Sequence, residues 1–154
     1  MRTWVIAAIL LLLVSGERGI GGEEVKSREV SRVVEAVRRV VDLAVTNVAH
    51  QKSRTNSLQL KVDEITEHLS AFELSRLAVI SWALYYPGNA EDVSFDEVFY
   101  KTTWRCISRV SAGSTKGDLD ALLFISEHSK FDGADRGALD EKIEALRRKL
   151  QEVK

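Results

Sequence analysis

The sequence predicts an all-α, single-domain helical bundle of about five helices following a signal peptide. Three observations carry that reading. Glu23 to Tyr86 runs for sixty-four residues without a Gly or Pro, whereas β-rich chains place turn residues about every eight to twelve positions. Apolar residues recur along this stretch at three- and four-residue steps, the period of one helix face. The chain has 154 residues, 45% of them hydrophobic, which suits one core and is short for two.

The elements follow in order. Met1-Arg2-Thr3 precedes an unbroken apolar run from Trp4 to Val14, and Val14-Ser15-Gly16 places small or β-branched residues where a signal peptidase cuts. Residues 1–16 are expected to be a signal peptide, with Gly22 as the second candidate cleavage point. The run is too short for a membrane anchor, which needs about 20 apolar residues. A first helix is expected near 25–49, where Val30, Val33, Val34, Val37, Val40, Val41, Ala44, Val45 and Val48 alternate with Arg28, Arg32, Glu35, Arg38, Arg39 and Asp42. So many β-branched residues have weak intrinsic helix propensity, so this helix depends on packing.

His50 to Ser57 is polar, and Leu58, Val62, Ile65, Leu69 and Phe72 then resume the stripe. The seven-residue phase of Val30, Val37 and Ala44 passes through Gln51 to Leu58, Ile65, Phe72 and Val79. Either one very long helix or two helices fit. Two are favoured, the second near 58–85, because a compact domain rarely keeps a sixty-residue helix. Tyr85-Tyr86-Pro87-Gly88-Asn89 ends it with a turn.

Ser94 followed three residues later by Glu97 reads as a capping box, opening a helix near 95–110 whose buried face is Phe95, Val98, Phe99, Thr102, Cys106, Ile107 and Val110. Ser111 to Gly117 reads as a loop. Asp118 is the expected cap of a short helix near 118–128, which stops before Lys130-Phe131-Asp132-Gly133. The last helix, near 138–153, repeats Leu139, Ile143, Leu146, Leu150 and Val153 at four- and three-residue spacing. That stripe suits its own core first and a partner helix second.

A net charge of -1, from 22 basic and 23 acidic residues, provides no electrostatic reason to expect nucleic acid or an anionic membrane. His50, His68 and His128 sit in no metal-ligand spacing and are expected at the surface. No nucleophile elbow, phosphate-binding glycine loop or calcium loop occurs, so no catalytic, metal or cofactor site is expected and the protein reads as non-enzymatic. No N-glycosylation sequon occurs either. Cys106 is the lone cysteine, which rules out an internal disulfide. It reads as a buried inert thiol in a monomer, with an intermolecular bridge between two copies as the alternative. Lys116-Gly117-Asp118 resembles an integrin-binding tripeptide of some disintegrins, but Asp118 is better explained as a cap.

Seven aromatics, Trp82, Tyr85, Tyr86, Phe95, Phe99, Tyr100 and Trp104, cluster within twenty-three residues. Core packing explains most of them. Tyr100 and Trp104 lie one turn apart and off the Val98–Cys106 face, so they are the candidate interface, exposed aromatics being the usual anchors of protein contacts.

The signal run Trp4 to Val14, the helix stripes and the closing Leu139 to Val153 heptads together resemble the anophensin and albicin family of mosquito salivary proteins. The likeness is one of architecture over residues 17–154. It implies a secreted, extracellular inhibitor of host contact activation, and so of coagulation, or of complement, acting on a plasma protein. The alternatives are a carrier of a small hydrophobic ligand lined by the aromatics, and a self-associating structural helical protein.

Overall fold

The computed structural model describes residues 23–49, 55–85, 93–111, 115–131 and 134–152. They form six helices, α1 (Glu23–Ala49), α2 (Thr55–Thr66), α3 (Ala71–Tyr85), α4 (Val93–Ser111), α5 (Lys116–His128) and α6 (Ala134–Glu152), and no strand among the described residues. The all-α bundle is therefore observed. The expected signal peptide, residues 50–54 of the expected connector at His50 to Ser57 and the Pro87-Gly88 turn lie outside the described residues, while Thr55 to Ser57 of that connector belong to α2.

The expected helix near 58–85 is two helices, a correction with a local cause. Ser70 and Glu73 form a capping box: the Ser70 N–H donates to Glu73 Oε2 at 2.8 Å, and the Glu73 N–H donates to Ser70 Oγ at 3.2 Å. Such reciprocal caps satisfy two amides that a helix start leaves open. Just before it, the Thr66 hydroxyl bonds back to the Val62 carbonyl at 2.7 Å, and the chain turns through Glu67 and His68. A single helix through 25–85 is excluded by Arg32, whose Nε lies 3.3 Å from Glu73 Oε1. Forty-one residues of continuous helix would separate the two by about 60 Å.

The short α3 is the centre of the molecule. Every residue from Glu73 to Ser81 is buried, the polar Glu73, Ser75, Arg76 and Ser81 included, so neighbours enclose this helix on every side. α4 and α5 pack most extensively against it, α1 covers another side, and α6 closes the bundle over α5. The main core joins Leu74, Leu77 and Ala78 of α3 to Val98, Cys106 and Val110 of α4, Leu122 and Ile125 of α5, and Leu139, Ile143 and Leu146 of α6. Leu139, Ile143 and Leu146 of the last helix's stripe are thus spent on its own core, while Leu150 is partly exposed and Val153 lies outside the described residues.

Three arginines hold the end of α2. Arg105 of α4 donates to the Asp63 carbonyl and to Asp63 Oδ1, both at 3.1 Å, and Arg109 donates to the Glu67 carbonyl at 2.8 Å. Arg32 of α1 donates to the His68 carbonyl. The last carbonyls of a helix lack partners within it and carry the negative end of its dipole. Guanidinium groups from two other helices supply both the hydrogen bonds and the opposing charge.

Three further helix starts differ from expectation: α6 begins at Ala134 and takes in Gly137, expected to precede it, and the starts of α5 and α4 also move. α5 begins at Lys116, so Lys116 and Gly117 belong to its first turn and not to a loop. Its cap is Thr115, with Asp118 as the third helical residue of a capping box. Asp118 Oδ2 accepts from the Thr115 N–H at 3.0 Å, and the Asp118 N–H donates to the Thr115 hydroxyl at 3.2 Å. The carboxylate does turn to a backbone amide, but from inside the helix. α4 begins at Val93, so Ser94 falls within it; the Ser94 side chain lies outside the described residues, and Glu97 pairs with Lys101 at 2.9 Å.

Candidate interaction surface

Tyr100 and Trp104 stand one turn apart on α4, the helix whose other faces are committed to α3 and α2. Val98, Phe99, Thr102, Thr103, Cys106, Ile107 and Val110 are buried on those faces, and helical period carries Tyr100 outward. Tyr100 is 44% exposed. Trp104 is only half-buried and packs against the main core, so the two residues differ in kind where the sequence placed them together.

The difference arises from Phe131, in the segment 130–133 whose residue types predict a connecting loop. Phe131 is buried between α5 and α6 and gathers three rings of α4. Its centroid lies 5.8 Å from Phe99 at an interplanar angle of 89°, 6.3 Å from Trp104 at 71°, and 6.0 Å from Tyr100 at 46°. Tyr100 and Trp104 meet each other at 6.4 Å and 65°. Edge-to-face contacts of this kind add about 0.5–1.5 kcal/mol per pair beyond area burial. The Tyr100 hydroxyl donates to Asp135 Oδ1 of α6 at 3.4 Å. The only cue to Phe131 in the sequence is a large aromatic between Lys130 and Asp132, a position that would otherwise be solvated.

The result is a phenol ring at the surface, fixed in direction by two rings behind it and by a carboxylate at its tip. Of the other aromatics, Trp82 packs against the main core, while the side chains of Tyr85, Tyr86 and Phe95 lie outside the described residues. Tyr100 thus presents an apolar ring with one polar tip at the surface.

The core also holds a buried cation. The Arg76 guanidinium carbon sits 4.0 Å from the Phe72 ring centroid and 3.8 Å from that of Phe124, and its Nη1 donates to Ser75 Oγ at 3.0 Å. Two aromatic faces stabilise a desolvated guanidinium by about 2 kcal/mol or more. Cys106 is fully buried in the same region, its Sγ 3.5 Å from the Ala71 carbonyl. Burial first, and the Asp118 carboxylate second, push its thiol pKa up to about 12 against the opposing pull of Arg76 and Arg109. Such a thiol stays protonated and out of reach of a second copy, so the bridge through Cys106 conflicts with its position.

An open groove of about 320 Å³ runs between α1 and α2, with buried Ala36, Ile65 and Leu69 beneath exposed Arg39, Glu64 and His68. Among the described residues, no three His, Cys, Asp or Glu side chains gather closely enough to hold a metal ion, and no helix is long and apolar enough to cross a membrane. Compared with protein families, with characterised proteins and with solved structures, the chain finds no match in any of the three.

Proposed function

We propose that this is a secreted, non-enzymatic binding protein that docks an extracellular or plasma protein through the surface centred on Tyr100. The observation that carries the reading is a large amphipathic side chain, 44% exposed, held by Trp104 and Phe131 in one direction before any partner arrives. Rigid, pre-positioned aromatics lose little conformational entropy on association, and Tyr is among the residue types enriched at energetic hot spots. Trp104 supports the anchor from behind instead of making the contact alone. The apolar run Trp4 to Val14, read as a secretory leader, supports the extracellular location.

The architectural resemblance to the anophensin and albicin salivary proteins narrows the partner to host plasma components, with inhibition of contact activation or of complement as the consequence. The test adds the protein to a contact-activated clotting assay and to a complement haemolysis assay, beside Tyr100→Ala. Prolonged clotting or reduced lysis is expected from the parent, with the variant weaker by thirtyfold or more, the loss of about 2 kcal/mol typical of an anchor. Equal potency of variant and parent would remove Tyr100 from the site, and inactivity of both would remove the salivary-inhibitor reading.

The carrier reading has one observation of its own, the α1–α2 groove, whose buried floor is apolar and whose rim is charged. Displacement of a fluorescent fatty acid tests it, and no binding by the folded protein would dismiss it.

A further inference from the structure

The apolar residues of α1 fall on two faces, and only one of them is fully buried. Val33, Ala36, Val40 and Leu43 are buried and join the core. Val30, Val34, Val37 and Val41 form a second row at steps of four, three and four, and none of the four is buried: Val34 is 45% exposed and the others are partly exposed. The same steps continue in the sequence at Ala44 and Val48. One stripe suffices for a helix that packs only against its own core. A second row at four-three spacing has the pattern of a helix-pair seam.

The two edges of this row differ. One edge merges with the small cluster in which Val30, Val37 and Leu84 pack around Val33 and Ile80. The other carries alternating charge: Arg38 bridges Glu35 at 2.6 Å and Asp42 at 3.4 Å, all three exposed. The Arg38 hydrogen bond holds the Glu35 carboxyl below the usual carboxylate range, so the edge is charged at neutral pH.

We infer that the valine row of α1 docks antiparallel against the same row of a second copy of this chain, about a two-fold axis passing between Glu35 and Ala36. In that register Val30 of each copy meets Val41 of the other, and Val34 meets Val37, so the four valines pair completely with themselves. The axis also brings Arg38 of each copy alongside Glu35 of the other, so the charged edge is complementary to itself when reversed. A parallel, in-register pair instead sets the charged edge of each copy beside the apolar Leu84 edge of the other and leaves Arg38 and Glu35 without that complement. A self-complementary patch around a two-fold axis is the geometry of a closed dimer. The four layers span only about 16 Å of helix, which places the contact at the small, reversible end of protein interfaces, with Kd on the order of 10–100 μM.

Sedimentation velocity over a concentration range that brackets this value is the test. The parent is expected to pass from monomer to dimer, and Val34→Asp, at an exposed position that spares the fold, to raise Kd at least tenfold with an unchanged helical signal. Arg38→Glu is expected to weaken the dimer and the double exchange Glu35→Arg/Arg38→Glu to restore it. Orientation is read from cysteine cross-linking: positions 30 and 41 lie about 16 Å apart along one helix, beyond the reach of a disulfide. A covalent dimer is therefore expected from Val30→Cys/Val41→Cys and not from either single variant. A monomer throughout the range, a dimer indifferent to Val34→Asp, or efficient cross-linking by Val30→Cys alone would each overturn the inference.

Discussion

Cys106 shows how far one side chain's behaviour follows from its surroundings. Its folded pKa lies near 12, above the 9.0 of a free thiol, so the folded chain keeps a proton that the unfolded chain releases. The preference of this thiol for the folded state is fully present below pH 9 and is lost as pH rises through about 12. Alkylation by iodoacetamide at pH 8 is expected to be slow in the native protein and rapid in denaturant, measured by intact mass; equal rates would contradict the burial. Trp104 behaves differently from a free surface aromatic. Because it packs on Phe131 and the core, Trp104→Ala is expected to destabilise by about 2–3 kcal/mol, a lower melting temperature accompanying any loss of binding. Tyr100→Ala, by contrast, should leave the melt within a few degrees of the parent, so the pair separates contact from support. Arg76 adds a third case: Arg76→Ala leaves a void between the Phe72 and Phe124 rings and is expected to cost about 3 kcal/mol, whereas Arg76→Met fills the space and should cost far less in a urea titration.

Among the elements, the junction of α2 and α3 has the clearest cause. Ser70 to Glu73 has the S-x-x-E pattern of a helix start, and the apolar stripe running across it hides the break when only periodicity is read. Ser70→Ala is expected to lower stability by about 1 kcal/mol, a melting shift of a few degrees, and an unchanged melt would show the cap to be redundant with the Arg32 contact. The same pattern at Thr115-Lys116-Gly117-Asp118 moves the start of α5 two residues ahead of the expected position. In α1 the period was legible but not the facing: the valines promised one broad apolar side, and burial selects Val33, Ala36, Val40 and Leu43 while leaving Val34 outside. Periodicity specifies angles around a helix axis. It does not say which angle a neighbour occupies.

For the whole molecule, stability rests on α3, since the bundle is organised around one helix that touches solvent least. Leu74→Ala and Leu77→Ala are each expected to cost about 2–5 kcal/mol by leaving voids in the fully buried layer, with loss of cooperativity in thermal circular dichroism if the core comes apart. With Cys106 the lone cysteine and buried, the melt should be independent of reductant. The arginine clamps on the end of α2 join α1 and α4 to it, and Arg136 of α6 joins α5 through Ser126 Oγ at 2.8 Å, so neighbouring helices are tied by polar contacts at their ends as well as by the core.

The all-α class, the burial of Leu139, Ile143 and Leu146 on the last helix and the exposure of Tyr100 were legible from residue types and spacing, whereas Trp104, expected beside Tyr100, is half-buried. These are properties of local periodicity and composition, which a linear chain carries in full. Three things were decided only in three dimensions: which valines of α1 face inward, the enlistment of Phe131 beneath Tyr100 and Trp104, and the closure of the end of α2 by Arg32, Arg105 and Arg109. Each depends on residues brought together from tens of positions apart, and the energy that chooses among such meetings is the burial of surface that two helices share, which neither helix encodes alone.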